Sequence, residues 1–151
     1  MSRKETVILT NMCMVYNGDR VLVQDRQSSS WPGLAFPGGH VEKNESLVAS
    51  VIREVREETG LIVSNLELCG VKNWTHPTEG YRYLVFLYKT NQFSGELQSS
   101  REGQVFWLNR SDLGNYQLAE GFDSMLEVFE NPLLTENYFL FENGKWKADN
   151  K

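Results

Sequence analysis

Residues 39–61, Gly-His-Val-Glu-Lys-Asn-Glu-Ser-Leu-Val-Ala-Ser-Val-Ile-Arg-Glu-Val-Arg-Glu-Glu-Thr-Gly-Leu, constrain this chain more than any other stretch. They read as a glycine-rich loop entering one amphipathic helix. Gly38 and Gly39 allow a sharp bend or a close approach of backbone to a ligand. Asn44 is placed to cap the helix, which sets Glu45 in the first turn, where the helix dipole favours an acid. Gly60 follows the last turn as a C-terminal cap, and the β-branched Ile62 and Val63 open a strand. Leu47, Val48, Val51, Ile52 and Val55 form an apolar stripe at helical spacing. Glu54, Glu57 and Glu58 stand at i, i+3 and i+4, so their carboxylates share one face. At about 100° per residue, Glu54 projects beside Leu47 and Glu58 beside Val51, so the acids border the buried stripe. Like charges at this spacing cost roughly 0.2–0.5 kcal/mol, and more when partly desolvated. A cation between them would remove that cost. A run of acids is ordinarily a solvated helix end; the register, the glycine loop and the Arg53–Glu54 pair argue otherwise here.

With 151 residues the chain suffices for one domain, 1–151, with a single core. The net charge of −5 argues against non-specific binding to a nucleic acid polymer. A small phosphorylated ligand remains compatible, because a bound metal can invert the local sign. Cys13 and Cys69 lie in apolar, strand-like runs and are expected as buried free thiols in a reducing compartment. His40 and His76 with these two cysteines do not have zinc-site spacing. No run approaches a membrane span, and Met-Ser-Arg-Lys-Glu is not followed by an apolar segment, so the cytoplasm is the expected location. Nothing in the sequence indicates an oligomeric state.

Taken in order, residues 6–16 are apolar on both alternating faces, as in a strand buried on both sides. Asn11 lies within it, and its amide needs partners, either core backbone or a ligand. Asn17-Gly18-Asp19 is a turn, and Arg20 to Arg26 a second strand, which makes a hairpin. Trp31 to Gly39 carries two prolines and three glycines, the composition of a fixed irregular loop. Phe36 is expected to pack that loop onto a sheet; Trp31 can do the same or stack on a base. Ile62 to Thr75 reads as one or two strands, Trp74 to Gly80 as a turn-rich connector, and Gly80 to Tyr88 as a strong strand with aromatic residues on both faces. Phe93-Ser94-Gly95-Glu96 is a turn, and Glu102 to Leu108 a strand. Asn109 or Ser111 can cap a short helical turn. Residues 119–130 place Phe122, Met125, Leu126 and Phe129 on one stripe of a second helix closed by Asn131-Pro132. Tyr138 to Phe141 suggests a late strand before Asn143-Gly144 and a polar tail. Repeats and linkers are absent from the pattern. The whole fits an α/β fold, an α/β/α sandwich around a mixed sheet.

The central stretch resembles the Nudix box, G-x5-E-x7-R-E-U-x-E-E-x-G-U with U aliphatic. Gly39, Glu45, Arg53, Glu54, Val55, Glu57, Glu58, Gly60 and Leu61 fill its fixed positions without a gap. The resemblance implies a Nudix hydrolase, which cleaves a nucleoside diphosphate linked to another moiety with the help of a divalent cation. Three carboxylates without Cys or His form a hard oxygen site, suited to Mg²⁺ or Mn²⁺. Carried over by position, Glu54, Glu57 and Glu58 are the expected metal ligands, with help from the Gly39 carbonyl. Glu45 and Arg53 are expected to orient them. The similarity extends to MutT-like enzymes in Trp31–Gly39 and Glu102–Leu108. On that likeness Glu102 is the expected additional acid, as ligand or base, with Glu120 as the second candidate.

Arg26 is placed either to meet phosphate or as a surface cation. Asn11, Trp31, Gly38, Gly39 and Tyr83 complete the expected substrate contacts. The MutT likeness implies a nucleoside triphosphate, an oxidised purine such as 8-oxo-dGTP first, cut to monophosphate and pyrophosphate. ADP-ribose or a nucleotide sugar is the enzyme alternative, and a nucleotide-sensing Nudix domain without turnover the non-enzyme one. Some oxidised-purine enzymes carry a base-reading Asn just ahead of the box, where Ala35 stands here.

Overall fold

The computed structural model describes residues 2–151. The first strand, β1 (Val7–Asn17), turns at Gly18 into β2 (Arg20–Arg26), as the alternation and the Asn-Gly-Asp turn imply. The two pair only at the hairpin end, Tyr16 with Val21 and Asn17 with Arg20. Beyond that, β2 parts from β1 and takes the short β3 (Gly33–Ala35), so the expected irregular loop contains a strand. Residues 37–41 fill the edge of β1 that β2 abandons. Asn11 N donates to Gly39 O, Cys13 N to Pro37 O and Val41 N to Leu9 O. The glycine loop is thus held in the plane of the sheet.

Helix α1 (Leu47–Thr59) follows. Its N-cap is Ser46, whose hydroxyl accepts from Ala49 N, not Asn44. Asn44 takes a left-handed turn at φ 63°, so Glu45 precedes the helix instead of sitting in its first turn. The helix ends on Gly60 at φ 80°, where a side chain would be strained. Val51 and Val55 are buried as the stripe requires, while Val48 is exposed because the buried face is narrower than its apolar pattern.

The chain continues through β4 (Ile62–Ser64), β5 (Glu67–Thr75), β6 (Arg82–Thr90), β7 (Gln92–Ser94) and β8 (Gly103–Asn109). The expected turn at Phe93 is partly β7, which pairs with β4. A 3₁₀ turn, Arg110–Asn115, follows Asn109 without a side-chain cap bond. Then come α2 (Phe122–Glu130), β9 (Glu136–Glu142) and β10 (Lys145–Asn150). The polar tail is therefore an edge strand.

The main sheet runs β10-β9-β5-β6-β1-β2-β3, with β8 on the other edge of β2. It is mixed, since β1 with β6 and β5 with β9 are parallel and the other pairs antiparallel. One core cluster joins α1 to Cys13, Val15, Leu22 and Tyr88. The other lies on the opposite face around α2, where Phe36 meets Phe122 and Phe129 edge-on at centroid distances of 4.8 and 5.3 Å. This is the expected layered α/β/α arrangement.

Candidate active site

The acidic face of α1 closes a cavity of about 240 Å³ lined by Glu54, Glu57, Glu58, Ser100, Arg101 and Glu102. The fold thus brings Glu102, at the entrance to β8, to the three helix glutamates. Glu120 lies elsewhere, on the other face of the sheet, and its carbonyl accepts from Trp31 Nε1 at 2.8 Å. The reason is topological: Glu102 precedes a strand paired beside the hairpin, whereas Glu120 leads into α2.

Arg53 organises the acids. It makes a two-pronged pair with Glu45, Nε to Oε2 at 2.8 Å and Nη2 to Oε1 at 3.0 Å. Nη1 donates to Glu54 at 3.0 Å and Glu57 at 3.4 Å, and Nη2 to His40 O at 2.9 Å. These bonds hold the Glu45 carboxyl down at about 2 and raise the Arg53 guanidinium further. Glu58 is the opposite case. It is 5% exposed, and burial pushes its carboxyl up to about 8 against the hydrogen bond from Gly38 N at 3.0 Å. Burial also raises Glu54, outweighing the Arg53 bond.

The glycines are required by space. A Cβ on Gly39 would strike the Glu54 carboxyl, and one on Gly38 the backbone at Asn11. Asn11 is 3% exposed and its amide is engaged inside the protein at both ends, Nδ2 to Ser50 Oγ at 2.8 Å and Oδ1 from Gly39 N at 3.2 Å. The structure therefore gives Asn11 the work of pinning the glycine loop between β1 and α1. The Gly39 carbonyl already accepts from Asn11 N, leaving one lone pair free.

Among the described residues no three His, Cys, Asp or Glu side chains stand close enough as placed to hold one ion, since Arg53 draws Glu54 and Glu57 to itself. The donors still fit a hard divalent cation. All are oxygens, and two are desolvated acids whose charged forms need a compensating charge.

A second cavity, of about 670 Å³, opens on the other face of the sheet, and Gly38 and Gly39 form the wall between the two. Cross-strand pairing builds its floor in two rows: Phe139, Trp74 and Tyr83, then Lys72, Val85 and Thr10. Trp74 stacks on Tyr83 at 4.6 Å and 8°. Trp31 stands over this cavity, with Arg26 above its ring at 5.0 Å and Arg26 Nε donating to its carbonyl. Arg26 lines the cavity and also lowers Glu58, so its charge reaches both sides. Ala35 is fully buried in β3, beyond reach of a ligand.

Lys72, Trp74 and Phe139 went unrecognised in the sequence. The signal for Lys72 was present, because a lysine at the same strand parity as Gly70 and Trp74 in β5 faces inward. Cys13 is buried and Cys69 only half-buried; both are free.

A carboxylate helix beside a glycine segment pinned into a split mixed sheet is the NUDIX domain, whose model matches residues 8–130. The chain belongs to this family and is a Nudix hydrolase. It is 31% identical over 121 residues to the uncharacterised Nudix hydrolase YvcI of Bacillus subtilis (strain 168), covering 76% of this chain and 74% of that one. It is 32% identical over 108 residues to the 8-oxo-dGTP diphosphatase of Haemophilus influenzae, covering 71% and 74%. The crystal structure of the MutT mutator protein of Bacillus halodurans superposes with a TM-score of 0.77 at 26% identity, over 94% of this chain and 97% of that one. Other relatives bear other names. An ADP-ribose pyrophosphatase of Methanocaldococcus jannaschii is 29% identical over 100 residues, 64% of this chain and 59% of that one. The match to an NAD-capped RNA hydrolase of Pseudomonas aeruginosa spans only 29% of that protein. No helix is long and apolar enough to cross a membrane among the described residues.

Proposed function

We propose that this hydrolase cleaves a nucleoside triphosphate, an oxidised purine nucleotide such as 8-oxo-dGTP foremost, to a monophosphate and pyrophosphate. The observation that carries the reading is the pair of cavities on either side of Gly38 and Gly39, one acidic and one aromatic. A nucleotide spans them with its base among Trp31, Trp74 and Tyr83 and its phosphates at the glycine edge. The likeness to the Haemophilus influenzae 8-oxo-dGTP diphosphatase supports a triphosphate.

Glu54, Glu57, Glu58 and Glu102 would hold Mg²⁺ or Mn²⁺, with the free lone pair of the Gly39 carbonyl as a further donor. When bound, such an ion neutralises phosphate oxygens and makes its water more acidic. Arg53 positions Glu54 and Glu57 through its guanidinium and is itself braced by Glu45 and the His40 carbonyl. Asn11 keeps the loop rigid, so the anhydride is held in line without reorganisation of the backbone. Arg26 meets phosphate charge at the rim between the cavities. Two free thiols without a disulfide suit a reducing cytoplasm.

The relative named ADP-ribose pyrophosphatase favours a second reading, in which the same acids cut a diphosphate linkage between two sugars. A panel of 8-oxo-dGTP, dGTP, ADP-ribose and a nucleotide sugar with Mg²⁺, scored for pyrophosphate, orthophosphate and monophosphate, decides between them. Pyrophosphate from the triphosphates at a higher kcat/KM than turnover of ADP-ribose is expected. Orthophosphate with a nucleoside diphosphate, or preference for ADP-ribose, refutes the proposal.

A further inference from the structure

Lys72 is an anomaly that hydrolysis does not use. It sits in the middle of β5, 7% exposed, at the floor of the aromatic cavity. Its ammonium has three N–H donors. Among the described residues it makes no salt bridge and meets no hydrogen-bond acceptor. Its neighbours are instead three rings: Phe139 at 4.7 Å, Trp74 at 5.4 Å and Trp31 at 5.7 Å. The rings attract the charge through their faces but accept none of its directed N–H bonds. A largely desolvated ammonium without an acceptor is costly, and Lys72 lines a cavity of about 670 Å³, large enough for a planar ligand.

The position of Lys72 says which part of a ligand it meets. Between β5 and the glycine segment lie β6 and β1, three strand spacings, or about 14 Å. A phosphate held at Gly38 and Gly39 lies that far away, so the group at Lys72 belongs to the opposite end of a nucleotide, the edge of its base. The local charge points to a neutral acceptor. Glu120 and Asp123 act on the same ammonium from the segment before α2 and from its first turn, and would repel a second phosphate.

We propose that Lys72 donates to a carbonyl oxygen on the base edge, so that this cavity selects oxo-bases such as guanine and hypoxanthine over adenine. Guanine presents an oxygen where adenine presents an amino donor. Against that amino group the ammonium of Lys72 would face a second donor in place of an acceptor. A site built to bond one such group rejects the analogue that lacks it far more strongly than an apolar pocket rejects an extra methylene.

The inference rests on the reading that the aromatic cavity takes the base, and the test separates the two. Quenching of the intrinsic Trp31 and Trp74 fluorescence is titrated with dIMP and dAMP, which have no anhydride to be cleaved. The intact protein and Lys72→Met are compared, with melting curves as a control for folding. The intact protein is expected to bind dIMP at least about 10-fold more tightly than dAMP, the worth of one hydrogen bond to a charged group. Lys72→Met is expected to lose that preference by weakening dIMP alone. In turnover, the KM for dITP should rise in the variant while that for dATP stays unchanged. Equal affinity of the intact protein for dIMP and dAMP overturns the role of Lys72 even if the variant does not fold, and leaves the cavity as the base site. Equal weakening of both ligands in Lys72→Met also overturns it. Binding of neither overturns both readings.

Discussion

Arg53 divides one guanidinium among Glu45, Glu54, Glu57 and the His40 carbonyl, whereas Lys72 gives its charge to none of the acids near it. The two cations mark two different economies of charge. Glu57 is the most open acid of the Arg53 group, its side chain 59% exposed, so Glu57→Gln leaves the core untouched. It is expected to lower kcat about 100-fold or more at saturating Mg²⁺ with an unchanged melting temperature, because charge is lost where the transition state needs it. Steady-state kinetics and circular dichroism check this; retained activity would remove the metal-site reading.

Lys72 yields a pH dependence. Burial lowers its ammonium from 10.5 to about 8, against the pull of Glu120 and Asp123. Below pH 8 the residue is charged folded or unfolded, and the fold bears the full cost of burying it. Between about 8 and 10.5 the folded form has lost a proton that the unfolded form keeps, so the cost is relieved as pH rises. Lys72→Met is therefore expected to melt higher than the parent at pH 7, by about 2–4 °C for each kcal/mol recovered. The gap should narrow as pH is raised from 8 to 10 in thermal scans. A gap independent of pH contradicts this.

At the scale of elements, the start of α1 shows where sequence reading succeeds and where it stops. Asn44 and Ser46 are both good caps two residues apart, and propensity does not separate them. What separates them is Glu45, whose carboxylate must reach Arg53 from outside the helix, and the left-handed turn at Asn44 that aims it there. Ser46→Ala is expected to cost about 1 kcal/mol, read as a lower midpoint in urea, while Asn44→Gly is expected to be neutral or slightly stabilising. The reverse order would restore Asn44 as the cap. The end at Gly60, the acid cluster and the hairpin were all legible, because each has a local signature in residue type and spacing. The three-residue strands β3 and β7 were not, being too short for a period. β10 was read as tail because an edge strand exposed on both faces shows no alternation.

For the whole molecule, the family match ends at residue 130, but the sheet does not. β9 pairs with β5, β10 covers β9, and the Lys151 carbonyl accepts from Thr135 N and Glu136 N at 2.7 and 2.9 Å. Removing residues 131–151 strips the outer edge from β5 and takes Phe139 and Trp146 from the aromatic cavity. The truncated chain is expected to melt well below the parent and to aggregate through its bared edge, as light scattering on heating would show. An equally stable truncation would mean that β9 and β10 are accessory. The expected layering, with one helix on each face, was legible because both helices carry strong apolar stripes. The aromatic cavity was not, since its floor comes from residues as distant as Thr10, Lys72, Tyr83 and Phe139, which meet only through strand order.

The glycine segment in the plane of the sheet has a further consequence, one that concerns descent more than chemistry. It separates the acids of α1 from the floor of the aromatic cavity by one thickness of backbone, and few side chains reach both. Under the proposed function, a substitution at Lys72 or Trp74 changes what is admitted without disturbing how it is cut. Selection can therefore act on the two faces almost independently, keeping the cleavage apparatus constant while the admitted compound drifts. Relatives whose names specify 8-oxo-dGTP or ADP-ribose are what such a partition leads one to find.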